Sequence, residues 1–238
     1  MTKNLGKVLS VFLIGIAGGI FADQILWPYF IERPLFYQYN LKPSSGNIIE
    51  KKEIIIQENI ALQQAIEKTE KIVISIKGKT SKGKNIEGSG LILTSDGLAV
   101  TLAELLPSGL DAQISWEGET LPFQILKKDL KNNLALLKVE KSNLPTIGFG
   151  DGEKLKLGQR VFLLGVVREG GLLRKVVNEG IVRTFSENSI QTNISEENTL
   201  SGSPLFDIEG KVLGLNKVLS TGEISAIPIK KIQEFTGL

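Results

Sequence analysis

Two of the side chains best suited to proton transfer and covalent chemistry are missing from this chain, which has no histidine and no cysteine. Without cysteine there is no disulfide frame, no thiolate nucleophile and no sulfur-bound zinc. Without histidine, acid–base chemistry near neutral pH must proceed without imidazole, the side chain whose unperturbed pKa suits it best. Among the hydroxyls, Ser201 stands in Ser201-Gly202-Ser203-Pro204, a turn-forming run, with Lys211 and Lys217 downstream. A serine–lysine dyad requires contact between the two side chains, and this spacing does not enforce it. The sequence shows no aspartates at calcium-loop spacing and no glycine-rich phosphate loop followed by Lys-Ser or Lys-Thr, and Glu169-Gly170-Gly171 reads as a turn. No metal and no cofactor are expected.

The elements that would position such groups follow from the pattern of the chain. Its 238 residues suffice for one sizeable domain or two small barrels sharing an interface, with some left for a tail. The 28 basic and 26 acidic residues leave a formal charge of +2, which argues against a nucleic-acid partner. The run Lys77, Lys79, Lys82 and Lys84 alternates with Gly78, Ser81 and Gly83 and reads as a solvated hairpin. Beyond Lys71, short β-like runs occur at 72–76, 90–94, 98–101, 112–116, 121–127 and 134–139. After a turn-rich stretch from Ser142 to Gly152, a second set follows at 160–166, 172–177, 180–185, 189–192, 204–207, 211–219 and 223–227. Helical spacing predicts one helix from Ile60 to Glu70, capped by Asn59, and another from Ile229 to Phe235. The fold class expected is all-β, a double β-barrel with a short helix before it and another after it.

At the N-terminus, Lys3 and Lys7 precede an apolar stretch from Val8 to Ala22, and Asp23 follows it. That asymmetry predicts a transmembrane helix with its N-terminus cytoplasmic and the remaining chain extracytoplasmic, Trp27, Tyr29 and Phe30 forming an interfacial belt. A cleaved secretory signal ending at Ala22 is the competing reading, and both export the rest. The expected organisation is an anchor at 1–31, a stalk at 32–53 and a globular domain at 54–238, with a short strand at Ile54–Ile56 and barrels at about 71–141 and 150–228.

Gly88-Ser89-Gly90 leads into Leu91-Ile92-Leu93-Thr94 and the turn Asp96-Gly97. Later come Gly180-Ile181-Val182, Ile190-Gln191-Thr192, Ser201-Gly202-Ser203-Pro204-Leu205, Gly210 to Asn216 and Ala226-Ile227-Pro228. In order and spacing these blocks resemble the trypsin-like serine proteases of HtrA/Deg type, which have a chymotrypsin fold. The resemblance covers about Lys71 to Leu238 and leaves no room for the PDZ module many relatives carry.

Such proteases use a serine nucleophile, a histidine base and an aspartate that orients the imidazole. The resemblance assigns Ser201 to the nucleophile position, Glu104 to the histidine position and Asn133 to the aspartate position. It assigns the oxyanion position to Thr199 and Ser201, with Thr199 where the family has glycine. A carboxylate near its ordinary pKa of about 4.3 is far too weak to take a proton from a serine hydroxyl. Loss of the base alone is expected to cost on the order of a millionfold in turnover. Taken with the N-terminal segment, the resemblance implies a membrane-anchored, extracytoplasmic protease homologue without catalysis. Its inter-barrel cleft would hold a peptide, an unfolded segment or an envelope protein, and it could trimerise as some relatives do. A weak serine endopeptidase using Ser201, and an architectural envelope protein, are the alternatives.

Overall fold

The computed structural model describes residues 2–24 and 60–238, which fall into the units Met1–Ile54 and Ile55–Leu238. In the first unit, helix α1 (Thr2–Phe21) forms over the apolar segment and leaves Val11–Phe21 exposed. Among the described residues no helix is long and apolar enough to cross a membrane, so the expected transmembrane helix is not borne out. The charge-free part of α1 after Lys7 is shorter than the roughly 20 residues a bilayer core requires. The proposed aromatic belt, the stalk and the strand at Ile54–Ile56 lie outside the described residues.

The second unit opens with helix α2 (60–69), whose Ala65 and Thr69 are buried. Seven antiparallel strands follow: β1 (Val73–Lys79), β2 (Asn85–Ile92), β3 (Leu98–Leu102), β4 (Asp111–Trp116), β5 (Glu119–Leu121), β6 (Phe123–Asp129) and β7 (Leu134–Val139). They form one sheet in the order β5-β4-β1-β2-β3-β7-β6. Six more strands, β8 (Arg160–Glu169), β9 (Leu172–Phe185), β10 (Ile190–Ser195), β11 (Pro204–Asp207), β12 (Val212–Val218) and β13 (Glu223–Pro228), close into a barrel. Helix α3 (Ile229–Thr236) ends at Gly237, whose positive φ suits a left-handed cap.

The all-β architecture agrees with the sequence pattern, with local corrections. Only the second set forms a closed ring among the described residues; the first is a seven-stranded sheet. The runs at 172–177 and 180–185 are one strand, because β8 pairs with β9 continuously from Arg160↔Ile181 to Glu169↔Leu172. Conversely, the run at 121–127 is divided at Pro122, which has no N–H to give to a ladder.

Strand β8 shows how the halves join. Side chains alternate across a strand, and here both faces are buried. Val161 and Leu163 point into the barrel beside Leu200, Leu205 and Leu213. Phe162, Leu164 and Val166 join the core of the first sheet instead, together with Phe206 and, from α3, Ile229, Ile232 and Phe235. The Phe162 and Phe206 rings stack with centroids 5.1 Å apart.

Two glycine-serine segments cross at this seam. The Ser89 N–H donates to the Ser201 carbonyl at 2.9 Å, and the Val166 N–H donates to Ser89 Oγ at 3.0 Å. The approach is possible because Gly202, at φ +82°, has no Cβ: one built there would lie 2.1 Å from the Ser89 carbonyl oxygen. A Cβ on Gly88 would similarly meet the Ser201 carbonyl oxygen at 2.7 Å. Gly88-Ser89-Gly90 and Ser201-Gly202-Ser203 thus fit against each other through their backbones.

Candidate functional site

Between the two halves lies a cleft of about 820 Å³. Its walls are Lys84–Glu87 at the start of β2, Glu104 and Leu105 after β3, Glu196–Thr199 before Ser201, and Lys217–Ser220 at the end of β12. The residues singled out in the sequence sit on or just behind these walls.

Glu104 belongs to a short 3₁₀ turn, Ala103–Leu105, and its side chain is exposed. Asn133 ends the turn before β7 in the left-handed region at φ +54°, a conformation asparagine tolerates better than most residues. From there it clasps the 3₁₀ turn. The Ala103 N–H donates to the Asn133 carbonyl at 3.1 Å, and the Glu104 N–H donates to Asn133 Oδ1 at 3.0 Å. In return Asn133 Nδ2 donates to Glu104 Oε2 at 2.9 Å. The two residues assigned to the histidine and aspartate positions are therefore direct hydrogen-bonded neighbours.

Ser201 is wholly buried. Its hydroxyl donates to Asn198 Oδ1 at 3.0 Å and accepts from the Val218 N–H at 3.3 Å. An amide oxygen accepts a hydrogen bond but cannot carry the proton away as a base. Asn198 starts the 3₁₀ turn Asn198–Leu200, where a short polar side chain three residues before the serine can close back on it. Glu104 instead faces Lys217, whose Nζ lies 3.9 Å from Glu104 Oε2. Lys211 pairs with Glu209 at 2.6 Å, so each lysine weighed as a dyad partner is engaged by a carboxylate.

The backbone around Ser201 is also committed internally. The Leu200 N–H donates to the Glu197 carbonyl, the Ser201 N–H to the Asn198 carbonyl, each at 3.0 Å, and the Gly202 N–H to the Asn216 carbonyl at 2.7 Å. Thr199 lies within the 3₁₀ turn on the cleft wall, and it is not among the residues with positive φ. An oxyanion hole needs N–H groups aimed at the reacting carbonyl oxygen, and the Ser201 N–H is aimed at Asn198. No group of three or more potential metal ligands assembles among the described residues.

Sequence reasoning singled out Ser201, Glu104, Asn133 and Thr199 as candidates but not Asn198 or the Val218 N–H. Asn198 carried a weak signal, an amide one 3₁₀ turn before the serine. Val218 carried none, because its N–H reaches Ser201 only through the register of β12.

A family model described as the trypsin-like peptidase domain matches residues 88–215. A probable periplasmic serine endoprotease DegP-like of Halomonas elongata is 33% identical over 156 residues, 60% of this chain and 32% of that protein. Serine protease HTRA1 of Xenopus laevis is 32% identical over 163 residues, 62% of this chain and 35% of that protein. The chain thus spans about a third of the length of these curated relatives. The solved structure of the HtrA-type protease AlgW with tripeptide superposes with a TM-score of 0.66 at 23% identity, covering 74% of this chain and 62% of the other. The same protease with decapeptide gives 0.63 at 21% identity, covering 73% and 65%. Fold, motif order and family match agree: this chain belongs to the trypsin-like peptidase domain family and has the fold of the HtrA-type proteases.

Proposed function

We propose that this chain is a non-catalytic member of its family whose domain works outside the membrane and holds an extended peptide, or an unfolded protein segment, between its two halves. The observation that carries the loss of catalysis is the state of Ser201: buried, its hydroxyl shared between Asn198 and Val218, with an amide rather than a titratable base as its acceptor. Glu104 and Asn133 bond to each other where a histidine and an aspartate would act. In this reading they brace the cleft wall.

Extracytoplasmic placement draws on the relatives named as periplasmic endoproteases and on the lysines that precede the apolar segment of α1. Peptide binding draws on the cleft between the halves and on HtrA-type neighbours solved with a tripeptide and a decapeptide. A peptide adding along a strand edge gains affinity from main-chain hydrogen bonds without chemistry.

The test incubates the full chain with an unfolded, fluorophore-labelled protein and follows both hydrolysis and binding. Binding without hydrolysis is expected. Turnover that disappears in Ser201→Ala would establish the endopeptidase alternative, and absence of both binding and turnover would leave the architectural role.

A further inference from the structure

Four carboxylates line the cleft, those of Glu87 and Glu104 from the first half and those of Glu196 and Glu197 from the second, against the two ammonium groups of Lys84 and Lys217. The lining is therefore acidic, although the whole chain carries a formal charge of +2. Acidity here is a local arrangement and not a reflection of composition. A recess lined mainly by one sign of charge concentrates the field and attracts ligands of the opposite sign.

Much of this charge has no partner within the described chain. Glu104 is the most engaged: its Oε2 accepts from Asn133 Nδ2 at 2.9 Å and lies 3.9 Å from Lys217 Nζ. Glu196 Oε1 accepts from Asn178 Nδ2 at 2.6 Å, and a neutral amide leaves the carboxylate's charge in place. The side chains of Glu87 and Glu197 form neither an ion pair nor a hydrogen bond among the described residues. Lys77 stands opposite Glu87 in the β1–β2 ladder, and Lys84 is exposed just before β2, but neither is ion-paired to it. Glu87 belongs to β2 and Glu197 immediately precedes the 3₁₀ turn Asn198–Leu200, so each half of the domain brings one unclaimed carboxylate to the cleft. Glu87 is half-buried and Glu197 exposed, which leaves both open to a ligand held there. Ile86 and Leu219 add apolar surface to the walls.

We infer that the cleft selects extended peptides that carry lysine or arginine side chains among aliphatic ones, with Glu87 and Glu197 receiving the cations. This rests on the reading that the cleft holds a peptide, and it adds the class of peptide. A guanidinium or ammonium group that reaches either carboxylate forms a charge-assisted hydrogen bond. Both carboxylates keep access to water, so each pair contributes modestly to affinity, and together they discriminate against acidic partners.

Fluorescence anisotropy of the full chain with three labelled decapeptides tests the assignment. All alternate valine and serine, and two of the serines are replaced by lysine in the first, by glutamine in the second and by glutamate in the third. The lysine peptide is expected to bind about tenfold more tightly than the glutamine peptide, at about three- to fivefold per exposed pair, and the glutamate peptide most weakly. The preference should shrink as salt is raised from about 0.1 M to about 1 M, because the Debye length falls from about 10 Å to about 3 Å. Glu87→Gln and Glu197→Gln should each weaken the lysine peptide about three- to fivefold, and together they should bring it to the affinity of the glutamine peptide, whose own binding stays unchanged. A melting curve reports whether each variant folds. Equal affinity for the lysine and glutamine peptides in the native chain would overturn the selectivity and leave the peptide-binding reading standing. A lysine preference that survives in both single variants and in the double variant would overturn the roles of Glu87 and Glu197. Absence of binding by all three peptides would overturn the selectivity together with the reading beneath it.

Discussion

With the positions assigned as the resemblance implies, the two sides of the cleft depart from a serine-protease site in opposite ways. At Glu104 and Asn133 the residue types differ from those of the family's site, yet the pair remain hydrogen-bonded neighbours. At Ser201 the residue type matches, but the hydroxyl is buried among partners that cannot activate it. On the proposed reading, one side keeps a geometry without the chemistry, and the other keeps a functional group without the geometry. A side chain shared with a catalytic family is therefore no guide to activity until its hydrogen-bond partners are known.

If the serine segment is retained for the seam rather than for catalysis, substitutions there should damage stability most. The largest effect is expected for Gly202→Ala, which combines a positive φ with a Cβ 2.1 Å from the Ser89 carbonyl oxygen. A loss of more than about 3 kcal/mol, read by urea denaturation, fits the severe class of backbone substitutions. Wild-type stability in that variant would show that the two segments can separate freely.

Next is Ser201→Ala, the substitution ordinarily chosen as an inert control. It strips partners from the Val218 N–H and from Asn198 Oδ1, and a loss of about 1 to 3 kcal/mol follows. At roughly 2 to 4 °C per kcal/mol for a domain of this size, the melting temperature should fall by several degrees. An unchanged melting temperature would break the comparison by making the hydroxyl dispensable to the fold.

On the facing wall, Asn133→Ala removes the side-chain clasp on the Glu104 N–H and carboxylate and leaves alanine at φ +54°. The exposed setting limits the expected cost to about 1 to 2 kcal/mol, measurable in the same denaturation series. A smaller loss than in Ser201→Ala sharpens the contrast between an exposed clasp and a buried hydroxyl. Lys217→Met should change stability least, by no more than about 0.5 kcal/mol, because its 3.9 Å contact with Glu104 joins two partly exposed side chains. A larger loss would mean that this ion pair, rather than the glycine-serine seam, ties the halves together.

Much of this was legible in the sequence because it depends on local pattern. Alternation and glycine punctuation located most strands, and the order of short blocks pointed to the fold. The merged strand β9 was not legible, since Asn178 and Glu179 look like a break until β8 is seen to pair through them. The candidate positions could be named, but the contact of Glu104 with Asn133 was not foreseen, because it joins residues far apart in the chain. The direction of the Ser201 hydroxyl could not be foreseen, because it depends on Val218, a residue brought close only by strand register. The approach of Gly202 to Ser89 was equally hidden, being a contact between backbones far apart in the chain.

The account rests on Ser201 being a structural hydroxyl. The most direct measurement is exposure of the native full chain to a serine-directed fluorophosphonate, followed by mass spectrometry of the peptide that carries Ser201. The account predicts no adduct on Ser201 while the protein is folded. A stoichiometric adduct at Ser201 that forms in the native protein but not in protein denatured before exposure would contradict it.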